Sequence, residues 1–159
     1  MRDAYPTVIY LTPEQLKRAD KEAHRRDEEN AAAGLKDYGS AALPGRSKQQ
    51  NRYHGEQACR SELAVALHLG REWTGEGGHP RVGDVAGGIE VKWSRKPVLR
   101  LQMKNPEADY FACTGDGMAI TILGHWVFDP IQDKADYWNE DLPFPCIEIP
   151  ADHLFTEEY

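Results

Sequence analysis

Three charged residues stand close together in the run Asp84-Val85-Ala86-Gly87-Gly88-Ile89-Glu90-Val91-Lys92. Alternation around the Gly-Gly pair predicts a hairpin. A two-residue Gly87-Gly88 turn would pair Val85 with Glu90 and Asp84 with Val91, mixing charged and apolar groups on both faces. A three-residue Ala86-Gly87-Gly88 loop, with a glycine supplying the left-handed residue, pairs Val85 with Ile89 and Asp84 with Glu90 instead. In that register Val85, Ile89 and Val91 share one face, and Asp84, Glu90 and Lys92 share the other. Two carboxylates set opposite each other are unfavourable unless a cation lies between them. Their hard oxygens suit Mg²⁺, and Lys92 stands beside the same site.

A fourth charged residue is out of place on a helix. The sequence predicts a helix from about Lys48 to Leu69, ended by Gly70. Stepping about 100° per residue from Glu62 puts Leu69, Ala58 and Ala66 within about 40° of it. Arg60, Gln57, His68 and Ser61 fall on the far side. Glu62 thus sits in an apolar stripe, where a carboxylate is costly unless it is paired or binds a metal.

Around these residues the chain punctuates itself clearly. Thr12, Pro13 and Gln15 announce a helix over 12–33 with a capping box, supported by Glu14→Arg18 and Glu22→Arg26 pairs. Its apolar content is thin, so it is expected on the surface or against a partner. Gly34–Gly45 is a breaker-rich connection, giving an N-terminal arm and linker over 1–46 and a main domain over 47–159. Val98–Met103, Tyr110–Thr114, Met118–Val127 and Cys146–Ile149 read as strands, with Gly115-Asp116-Gly117 as a turn. The expected class is α/β (α+β), with one mixed central sheet flanked by helices.

The strings Ser61-Glu62-Leu63-Ala64-Val65-Ala66-Leu67-His68-Leu69-Gly70, Gly83-Asp84-Val85 and Ile89-Glu90-Val91-Lys92 resemble the PD-(D/E)XK, or restriction-endonuclease-like, nuclease superfamily. The likeness is to compact phage and prophage members and covers roughly residues 47–128. It implies an αβββαβ core and a metal-dependent DNA endonuclease. In that reading Asp84 and Glu90 ligate Mg²⁺, with Mn²⁺ able to substitute. Lys92 is the catalytic lysine, and Glu62 the helix carboxylate completing the metal site. Gly83 stands where the superfamily's motif has proline. Compact members cut branched DNA and act as dimers, so the resemblance also implies DNA as partner, a homodimer, and a role in phage recombination, repair or Holliday-junction resolution. The alternative is a catalytically silent nucleic-acid-binding or interaction module that keeps the fold.

Charge and composition agree with part of this. Lys and Arg number 19 against 26 Asp and Glu, but the acids concentrate in residues 129–159, which hold nine of them against Lys134 alone. Residues 91–106 carry Lys92, Arg95, Lys96, Arg100 and Lys104 with no acid. A local basic surface binds phosphate even on an acidic molecule, so Arg95, Lys96, Arg100, Arg52 and Trp93 are the candidate nucleic-acid contacts. Trp73, Trp126 and Trp138 read as core or rim, His125 as a core histidine, and His54 and His79 as surface residues near the site. Three widely spaced cysteines give no disulfide framework and no structural zinc pattern. No apolar run approaches a membrane span, and the opening MRDAYPTVIY lacks the order of a secretion signal, so a cytoplasmic protein is expected.

Overall fold

A computed structural model describes residues 3–34, 47–78 and 83–159; the Gly34–Gly45 connection, apart from Gly34, and His79 lie outside the described residues. The chain runs β1 (Thr7–Tyr10), α1 (Pro13–Ala32), α2 (Lys48–Leu69), β2 (Ile89–Trp93), β3 (Val98–Leu101), β4 (Asp109–Asp116), β5 (Ala119–Val127), α3 (Pro130–Tyr137), β6 (Trp138–Asn139) and β7 (Cys146–Pro150). Local chemistry sets the helix ends. Thr12 and Gln15 form the expected reciprocal cap of α1. Ser47 and Gln50 form a second such cap on α2, which stops where Gly70 turns left-handed at φ 64°.

The fold is mixed α+β. Its four-stranded sheet has the order β1-β5-β4-β2, antiparallel except for the parallel β2–β4 pair. A second, antiparallel sheet has the order β3-β7-β6. The expectation of one central sheet is therefore corrected to two. The cause lies at Ser94-Arg95-Lys96-Pro97, where proline lacks the amide needed to continue a ladder and the chain leaves for the second sheet. Strand β1 and helix α3 were not foreseen.

Strand β4 explains the layering. Tyr110, Phe111, Ala112 and Cys113 are all fully buried, because the strand has a core on each face. Phe111 and Cys113 join a core with α1, α2, β1 and β2, whereas Tyr110 and Ala112 join one with Leu99, Leu101, Ile147 and Ile149 of the second sheet. Residues 3–34 belong to the first core through Tyr5, Leu11, Ala19 and Ala23. The predicted boundary at residue 46 does not divide two cores. Helix α1 rests on α2, which is buried on a second side as well: Gln57 and Ser61, expected on its far side, are inaccessible.

Because Ala19 is fully buried at the α1–α2 contact, Ala19→Asp places an unpaired carboxylate there. The expected loss is about 2 kcal/mol or more in a single urea transition. An unmoved midpoint would mean that α1 is an independent arm.

Candidate active site at the edge of β2

The predicted register holds at its first step. Val85 bridges Ile89, and Asp84 N–H and Val85 N–H both donate to the Ile89 carbonyl, at 2.8 and 3.1 Å. Gly87 and Gly88 supply the left-handed backbone at φ 98° and 73°. Gly83 is equally constrained: its φ is 81°, and a Cβ there would lie 2.7 Å from the Gly88 and Ile89 backbone. Proline, fixed near −65°, could not occupy this position.

The ladder then stops, and a side chain takes over. Strand β2 is the last strand of its sheet, so its outer amides need partners. Asp84 Oδ2 accepts the Val91 N–H at 2.9 Å, doing the work of a neighbouring strand. This bond holds the Asp84 carboxylate, 7% exposed, against the rim of the sheet. Ile89 and Val91 face the helices. Glu90 and Lys92, half-buried, point to the opposite face, beside Tyr110 and Ala112. The Tyr110 phenol is pushed up by burial and then by the charges of Glu90 and Asp84, so both carboxylates act on one ring. Asp84 thus lies at the outer rim of β2, and Glu90 and Lys92 lie on the face of that strand turned away from the helices.

Glu62 is paired. It is 4% exposed and lies at the seam where α1, α2 and the segment after α2 meet. Its two oxygens accept Arg26 Nη1 and Nη2 at 2.8 and 2.9 Å, and Oε1 also accepts Trp73 Nε1 at 3.0 Å. Burial, followed by the nearby Asp84 charge, raises its pKa against the pull of Arg26. The carboxylate assigned to the metal by resemblance is therefore the buried counter-ion of an arginine from α1.

That arginine reaches further. Arg26 Nη2 donates to the Gly75 carbonyl at 2.9 Å, and Gly75 N–H donates to the Asp84 carbonyl at 3.0 Å. Arg26 Nε donates to Glu22, which also accepts Arg25 and the Gly77 amide. Burial opposes the charge on Glu22, but those bonds and the two arginines win and hold its pKa low. Sequence reading saw Glu22→Arg26 as a surface pair. The pairing of Arg26 with Glu62, and of Glu22 with Arg25 and Arg26, had no sequence signal beyond Glu62's own misplacement, whereas Trp73 lies in the core as its sequence reading expects.

Among the described residues, no group of three or more His, Cys, Asp or Glu side chains is gathered closely enough to hold a metal ion. With Glu62 occupied, Asp84 and Glu90 are the remaining acids. Their hard oxygens are of the kind Mg²⁺ takes, one or two carboxylates alongside several waters and phosphate oxygens.

The expected nucleic-acid contacts divide. Arg52, Arg95 and Lys96 are exposed. Arg100 is tied across the second sheet to Glu148 at 2.8 Å. The Trp93 indole donates to the Gly115 carbonyl at 3.0 Å and meets His54 and Tyr53 edge-on. Trp73 and Trp126 donate to Glu62 and Asp133, as core and rim residues do. His125 packs among Tyr5, Phe111 and Tyr159. The three cysteines are unpaired and buried. No helix among the described residues is long and apolar enough to cross a membrane.

The chain matches no protein-family model, no curated protein and no solved structure.

Arg26→Met strands the Glu62 charge and should cost about 3–5 kcal/mol, read by urea denaturation. Adding Glu62→Met should recover part of that loss, and no recovery would refute the pairing account. Glu22→Gln has a pH signature. Because the folded pKa of Glu22 lies below its ordinary value of 4.5, its contribution is present above that pH and fades as pH falls through the folded value. The stability gap between wild type and Glu22→Gln should accordingly narrow in acid. A gap independent of pH would remove Glu22 from the network.

Proposed function

We propose that this protein is a metal-dependent DNA endonuclease that hydrolyses phosphodiester bonds, with Asp84 and Glu90 holding Mg²⁺ or Mn²⁺ and Lys92 as the catalytic lysine. What supports the reading is the Asp84 carboxylate pinned by the Val91 amide at the rim of the same edge strand that carries Glu90 and Lys92. A divalent cation bound there supplies a Lewis acid toward the scissile phosphate. The Lys92 ammonium orients the attacking water and offsets the charge that grows on the phosphate. Glu62 acts at a distance: through Arg26 and Gly75 it fixes the loop that carries Asp84. Arg52, Arg95 and Lys96 meet flanking phosphates.

A second reading is a nucleic-acid-binding module without catalysis. It is favoured by the full pairing of Glu62, which leaves two acids where the superfamily's pattern has three.

The test is cleavage of supercoiled plasmid and of a four-way junction with Mg²⁺, Mn²⁺ or EDTA. Glu90→Gln and Lys92→Met change no contact that the fold depends on, so each should retain the wild-type melting temperature. Each should lower metal-dependent cutting by about 10²-fold or more. Preference for the junction would place the enzyme in recombination. Metal-independent binding without cutting would favour the silent module, and wild-type turnover by Glu90→Gln would overturn the site.

A further inference from the structure

The exposed cations are not equivalent, because one of them is held by an aromatic ring. Arg95 lies on the turn after β2, with its guanidinium over the Tyr53 ring at 5.5 Å. Tyr53, on α2, is fixed from other sides too. Its ring meets Trp93 edge-on at 5.9 Å and His54 at 6.1 Å. Burial and the neighbouring Asp116 carboxylate, at the end of β4, push the Tyr53 phenol up. The Arg95 backbone is tied to β4 as well: its carbonyl accepts the Thr114 hydroxyl at 3.3 Å, and the preceding Ser94 N–H donates to the Cys113 carbonyl at 3.0 Å. An arginine with backbone and guanidinium both located presents its outer N–H groups in one geometry, whereas a solvated arginine must be ordered when it binds. Asp116 is the acid beside this arrangement.

We propose that Tyr53 is a positioning residue for nucleic-acid binding: it holds the Arg95 guanidinium in place to take a backbone phosphate of duplex DNA, with Arg52 and Lys96 as looser contacts. This rests on the proposed action on DNA and deepens it. Arg100, although in the same basic run, is set apart from these contacts because Glu148 already takes its guanidinium.

The test is fluorescence anisotropy with a short labelled duplex in EDTA, between about 50 and 200 mM KCl. Arg95→Gln should weaken binding severalfold and reduce the salt slope by about one. Tyr53→Leu should do the same, Tyr53→Phe should bind as wild type, and Arg100→Gln should change nothing. The Tyr53→Leu/Arg95→Gln double variant should bind no more weakly than Arg95→Gln alone, since both remove one contact. Wild-type affinity in Tyr53→Leu, additive losses in the double variant, or a Phe variant as weak as Leu would overturn the proposal, as would a wild type that does not bind the duplex. Should Tyr53→Leu not fold, a loss at Arg95 without one at Arg100 supports the proposal, and any other pattern overturns it. Cleavage is scored separately in Mg²⁺. A wild type that cuts while Tyr53→Leu binds normally keeps the nuclease and removes this inference. Binding through Tyr53 and Arg95 without cutting does the reverse.

Discussion

The buried pair of Arg26 and Glu62 is the contact through which the two helices and the loop carrying Asp84 are placed relative to one another. Its contribution to net stability is modest by expectation, because desolvating two charges offsets much of their attraction. Its contribution to position is larger. A guanidinium has a rigid fork of donors, and here the fork meets Glu62 with two bonds and the Gly75 carbonyl with a third. Its Nε is given to Glu22 of the same helix. An apolar replacement of equal volume would fill the seam without specifying where the segment after α2 must lie.

A second constraint acts at the open side of β2. Edge strands expose unpaired amides, and this one is closed by the 83–85 segment and the Asp84 side chain. The same bonds that cap the edge hold the Asp84 carboxylate at the rim of the strand that carries Glu90 and Lys92. Loop residues 72–75 brace that segment: the Thr74 hydroxyl donates to the Gly83 carbonyl, and Gly75 N–H to the Asp84 carbonyl. Capping a sheet edge and placing a candidate ligand are therefore one structural event, and Arg26 joins it to the helices.

Much of this was legible in the residues, for identifiable reasons. The Val85–Ile89 pairing followed from facial consistency, the start of α1 from cap chemistry and the stop of α2 from Gly70, all of it local. The strangeness of Glu62 was legible too, but its partner was not. Arg26 lies 36 positions away on a helix whose polar surface reads as solvated. Helical stepping around Glu62 assumed one buried stripe, whereas α2 is covered by α1 on one side and the sheet on another. Gln57 and Ser61 were misplaced for that reason. Division into two sheets was hidden because β3 and the hairpin are adjacent in sequence, and what separates them is a turn ending in Pro97.

Charge patterning shows the same limit and carries the argument about binding one step further. In sequence, residues 91–106 form an unbroken basic run and residues 129–159 an acidic one. Folding partly interleaves them. Glu148 of β7 takes Arg100 of β3, while Asp133 is buried under Trp126. The strand period turns Lys92 toward the Glu90 face, and only the turn between the two sheets carries Arg95 and Lys96 outward. An electrostatic footprint counted along the chain would be about five cations wide; the folded surface concentrates it where the β2–β3 turn meets Tyr53 of α2. That turn follows directly on the end of β2 at which Lys92 lies.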